Sequence, residues 1–142
     1  MEFKYKIQHS QLRCICPPID MLKSINEKAF RFVREDINQS NNFLPPLIIE
    51  PTRIEDFSDC AKQCEGFALS IFDDLNKAEK KLNRLIAHNP LLKEVLGNCI
   101  AEGIIEEFDG LVDNPKHGHY NLHEFEGIDL AQKFKIIKKI EV

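Results

Sequence analysis

The chain has 142 residues, 43% of them apolar, with ten Phe, no Trp and a formal net charge of −4. That length fits one domain over residues 1–142 with a core that needs no staples, and the composition excludes a disordered chain. A weakly acidic balance gives no general attraction to nucleic acid or to anionic membrane, and no apolar run reaches the roughly 18 residues of a bilayer span.

In chain order, Phe3, Tyr5 and Ile7 alternate with charged neighbours in EFKYKIQ, the pattern of a half-buried strand. The same stretch is too polar for a secretory signal. The expectation is therefore a soluble cytoplasmic chain whose five cysteines stay reduced and mostly pack in the core. Pro17 and Pro18 stop any ladder there. Asp20 reads as the cap of a helix carrying Met21, Leu22, Ile25 and Ala29, with a strand from about Glu27 onward. INQSNNFLPPL is a long polar loop. SDCAKQCEG reads as a short helix between Ser58 and Gly66. FALSIF reads as a central strand, buried on both faces.

Asp73 or Asp74 then caps an amphipathic helix with Leu75, Ala78, Leu82, Leu85 and Ile86 inward. Lys77, Lys80, Lys81 and Arg84 form its outer face, read as a solvated one. Asn89-Pro90 ends it, and LLKEVLG adds a short helix stopped by Gly97. From Cys99 the pattern is β: CIAEGIIEEF, a two-residue hairpin turn at Asp109-Gly110, LVDN, HYNLHEF, a helical turn at Asp129 and the closing strand FKIIKKIEV. The fold class is α+β, a mostly antiparallel sheet of about five or six strands with two or three helices packed on one face.

The stretch NPKHGHYNLHEFEG holds three histidines. Alternation sets His119, Asn121 and His123 opposite Tyr120 and Leu122, with His117 joining them if the strand begins that early. At about 3.3 Å per residue, His117 and His119 lie roughly 6.6 Å apart and can lean onto one ion, whereas His123 lies roughly 13 Å beyond. The candidate catalytic set is His117, His119 and His123, since imidazole is the natural proton carrier near neutral pH. The candidate metal set is His117, His119 and Glu124, holding a divalent ion such as zinc. Zinc takes three or four ligands, so another element must contribute: His9, His88 or an acid of the preceding strand. Gly110, His117, His119 and Glu124 partly resemble the first metal motif of the cupins. The Gly-to-His gap is one residue longer, and no second histidine motif follows Glu124, so the chain is not assigned to that family.

Cys14-x-Cys16 and Cys60-x-x-x-Cys64 form two pairs that together could hold zinc, although neither has the C-x-x-C spacing of structural zinc sites. Acids dominate residues 99–130, and lysines dominate residues 131–142. Glu106, Glu107, Asp109 and Asp113 make an acidic hairpin suited to docking a basic partner. Phosphate loops, G-x-S-x-G and H-E-x-x-H are absent.

These features lead to the expectation of a small non-catalytic interaction or regulatory subunit without a cofactor. It would bind another protein or a second copy of itself, not nucleic acid or membrane, through the acidic hairpin and a sheet edge. The alternative is a small enzyme, a metal-dependent hydrolase, nuclease or toxin, that uses the histidine-lined face.

Overall fold

The computed structural model describes residues 1–24 and 26–141. The class is α+β, and the sheet has seven strands rather than five or six. In chain order the elements are α1 (Lys6–Ser10), β1 (Leu22–Lys23), β2 (Glu27–Val33), α2 (Pro46–Ile49), α3 (Cys60–Glu65), β3 (Leu69–Phe72), α4 (Leu75–His88), α5 (Leu92–Leu96), β4 (Cys99–Ile105), β5 (Gly110–Val112), β6 (His119–Glu124) and β7 (Lys135–Lys139). The spatial order is β1-β5-β6-β3-β2-β4-β7, with every pair antiparallel.

One connection shapes this sheet. On a flat sheet four strand spacings, roughly 19 Å, would separate β4 from β5. Only residues 106–109 join them, and they fold back, Asp109 N–H donating to Glu106 O at 3.0 Å. At about 3.5 Å per residue such a link falls short of that span, so the sheet curls until its two halves approach. Contacts across the gap agree: Ser24 Oγ donates to Ile105 O at 2.8 Å, and Lys133 Nζ to the Asp109 carboxylate.

Alternation sorts the side chains into two cores. One face carries Ala29, Leu69, Ile71, Ala101, Tyr120 and Leu122, closed over by Leu130 and Phe134. The other carries Phe30, Phe72 and Ile100 under Ala78, Leu82 and Ile86 of α4. Cover therefore lies on both faces and not on one. Asp74 caps α4, its carboxylate accepting from Lys77 N–H at 2.9 Å. β3, fourth of seven, is the central strand.

Several local expectations are corrected. The N-terminal stretch forms α1 and not a strand. Both edges of β6 are already taken by β5 and β3, so the segment finds only the isolated bridge Phe3–Phe125. The helix expected from Asp20 is instead β1 and the start of β2. Leu22 and Lys23 pair with Val112 and Leu111, and Asn26 at φ 47° breaks helical continuity. Ile25, assigned to that helical stripe, lies outside the described residues, as does Val142 of the closing strand. Asp59, not Ser58, caps α3.

The free-thiol expectation is also overturned. Cys14–Cys60 and Cys16–Cys64 are disulfides, and Cys99 is the thiol among the described residues. The spacings match, since two extended residues advance about 6.6 Å and one helical i to i+4 step about 6 Å. Cys14 and Cys16 thus face Cys60 and Cys64 in register.

Candidate functional site

The chain enters β6 through a tight turn. Lys116 and His119 exchange both backbone hydrogen bonds, at 2.8 and 3.0 Å, around His117 at φ 54° and Gly118 at φ 82°. Two consecutive positive φ values are what a two-residue hairpin of the favoured hand requires. This is the β5–β6 turn, and it displaces the turn expected at Asp109-Gly110. A Cβ at Gly118 would lie 2.5 Å from Lys77 Cδ, so glycine lets the turn rest against α4.

That seating builds a cleft of about 690 Å³. Lys77, Lys80, Lys81 and Arg84 line it from α4, and Lys116, His117 and His119 from the turn. Its floor is Phe72, with the His119 ring edge-on at 5.4 Å between centroids. Among the described residues, none of the four lysines and the arginine lies within salt-bridge distance of a carboxylate; every ion pair falls elsewhere. Burial pushes His119 below the usual imidazole range, partly countered by Asp113 and Glu65.

His123 shares the His119 face of β6 and meets different surroundings. It is 2% exposed, and the His9 ring of α1 lies across it at 5.4 Å and 76°. His9 is itself 5% exposed and held edge-on by Phe3 and Phe67. Cys64 Sγ stands 4.0 Å from His123 Nε2. Among the described residues, neither nitrogen of His9, nor Nδ1 of His123, has a hydrogen-bond partner. Burial, reinforced by neighbouring His9, pushes His123 down to about 4, and burial lowers His9 as well. Both rings are therefore neutral at physiological pH.

The candidate catalytic trio is thus divided: His117 and His119 line the cleft, and His123 is buried against His9 of α1. The metal set His117, His119 and Glu124 is not assembled. Glu124 is an odd number of residues from His119, hence on the opposite face of β6. It lies buried, bonded to Lys4 Nζ at 2.7 Å, and burial raises its pKa despite that lysine. His9 does meet a β6 histidine, but it is His123. His88 sits exposed at the end of α4.

The acidic docking set is largely used internally. Asp109 is buried, accepting from Glu106 N–H and Lys133 Nζ. Glu106 also pairs with Lys133, at 3.4 Å. Asp113 accepts from Asn121 N–H at 2.7 Å and from its side-chain amide at 2.9 Å. Glu107 is left as the exposed member of the set. No helix among the described residues is long and apolar enough to cross a membrane. Sequence reasoning missed the convergence of the α4 lysines with the His117-Gly118 turn. A usable signal was present, because His-Gly tolerates consecutive positive φ. Comparison with protein-family models, curated proteins and solved structures found no match to this chain.

Proposed function

We infer that this chain is a non-catalytic binding module that holds an acidic segment of a partner protein in the cleft between α4 and the 116–119 turn. The observation that carries the reading is the convergence of Lys77, Lys80, Lys81, Arg84 and Lys116 on one concavity without a carboxylate partner. Like charges held together raise the local potential, and a concave wall focuses it, so an anionic segment is steered in and neutralises them. Phe72 is 5% exposed and buried beneath His119, so the cleft offers no open aromatic platform for bases. That favours carboxylates of a polypeptide over a single-stranded nucleic acid. Compared with the acidic hairpin, whose Asp109 and Asp113 are engaged within the fold, the cleft keeps its charges available.

The test is binding of a labelled peptide of about ten Glu and Asp residues, set against an oligonucleotide of equal charge. Peptide affinity is expected to fall steeply between about 50 and 500 mM salt. It is expected to drop by at least about tenfold in the Lys80→Glu/Lys81→Glu/Arg84→Glu chain. An oligonucleotide that binds more tightly than the peptide, or a peptide indifferent to the triple reversal, overturns the reading.

A further inference from the structure

Four side chains with metal-ligand chemistry meet beneath the N-terminal segment, away from the cleft. One ligand atom from each of His9, Cys16 and His123 lies within 4.8 Å of the other two. Cys64 Sγ is bonded to Cys16 Sγ and stands 4.0 Å from His123 Nε2. The unpartnered nitrogens of His9 and His123 give a second, independent observation. Buried polar atoms nearly always have partners, and exceptions ask for a cause such as a missing ion. Clefts flank the group on two sides, one lined by Phe3, His9 and Cys16, the other by Met21, Cys64 and His123, so a small ion has a way in.

We propose that the Cys16–Cys64 disulfide and a Cys2His2 zinc site are alternative states of one set of side chains, His9, Cys16, Cys64 and His123, selected by the redox state of the two cysteines. In the disulfide state only two imidazoles remain as ligands, fewer than the three or four that zinc takes. A dithiol reductant breaks the S–S bond by delivering two electrons and two protons, and is itself oxidised to its disulfide. Zn²⁺ then forms two Zn–S and two Zn–N bonds, and the two thiol protons leave to solvent. With Zn–S near 2.3 Å and Zn–N near 2.0 Å, tetrahedral ligands sit roughly 3.3–3.8 Å apart. The sulfurs must part by somewhat less than about 2 Å, and the imidazoles must close by up to about 1.5 Å. Cys16 lies outside any helix or strand, which lets it make the larger move. Cys14 and Cys60 supply two more sulfurs on reduction, so the rival site is one of four thiolates without histidine.

Cobalt(II) distinguishes these, because tetrahedral thiolate ligation gives intense visible bands together with sulfur-to-metal charge-transfer absorption. The chain used is Cys14→Ser/Cys60→Ser, which keeps the Cys16–Cys64 pair, oxidised or reduced with a phosphine that does not chelate the metal. One cobalt per reduced chain, with thiolate absorption and displacement by zinc, is expected, and none in the oxidised chain. His9→Phe and His123→Phe, each on that background, are expected to weaken cobalt by at least about tenfold and to shift its visible bands. Equal uptake in both redox states overturns the proposal. So does cobalt binding that ignores both histidine variants, or a reduced chain that takes no metal, whether its far-ultraviolet circular dichroism shows it folded or not. Uptake by the reduced wild-type chain that disappears in Cys14→Ser/Cys60→Ser assigns the metal to four thiolates and overturns it equally.

Discussion

His119 and His123 occupy the same face of the same strand, four residues apart, and their surroundings share almost nothing. His119 borders an open cleft crowded with cations that pair with no carboxylate among the described residues. His123 is buried against another imidazole, itself held between two phenylalanines, and a sulfur. A strand decides which way its side chains point; the segments packed against it decide whether they meet water, charge or metal. At the first end the cover is α4 held off by the 116–119 turn. At the second it is α1, followed by a segment whose Cys14 and Cys16 are joined to α3 by two disulfides.

The contrast can be broken most forcefully at the disulfides. Replacing all four bonded cysteines with serine is expected to lose about 4 kcal/mol or more in urea denaturation, from loops closed across 46 and 48 residues. Removing one pair alone should cost roughly 2.5 kcal/mol, because the other bond already holds the loop ends together. Equal costs for one pair and both would mean that the segment is held by packing.

Acid comes next. His123 binds its proton near pH 4 in the folded chain and near 6.5 when unfolded. Stability is therefore whole above pH 6.5, is lost as pH falls toward 4, and the loss is complete below it, roughly 3 kcal/mol in all. Glu124, with its raised pKa, works in the opposite direction. The test is accordingly the difference between the oxidised wild-type chain and His123→Leu across that range, which should vanish above pH 7 save for a constant offset. A pH-independent difference would show that the imidazole is not sealed.

At the open end the effects shrink. His119→Ala should cost about 1 kcal/mol for the lost contact with Phe72, measured by thermal unfolding. Lys81→Glu, on an exposed position of α4, should change stability by less than about 0.5 kcal/mol while weakening capture of the acidic peptide. A large loss of stability there would mean that the lysines hold the fold together.

The parts of the fold that rest on short-range rules were legible in the sequence. The apolar stripe of α4 with its Asp74 cap, the β3 run and the closing strand all follow from periodicity and capping. What was missed depended on distant partners. Phe3, Tyr5 and Ile7 alternate correctly for a strand, yet no edge is open to them. Leu22 and Lys23 become a strand only because β5 lies beside them. Around β6 the alternation of His119 and His123 was readable, and their different covers were not. The cysteine spacings held a geometric match between an extended pair and a helical pair, which becomes visible only when the two pairs are considered together.

The link at residues 106–109 has a consequence for how the molecule assembles. It is too short to let β4 and β5 settle on a flat sheet, so neither half can be completed while the other is missing. The central strands β2, β3 and β4 come from three well-separated stretches of chain, and β5–β6 is the sheet's local hairpin. Nearly every pairing must wait for a long loop to close, which places the chain among slow, topology-limited folders. The His117-Gly118 turn is where ordered pairing can begin at the lowest entropic cost.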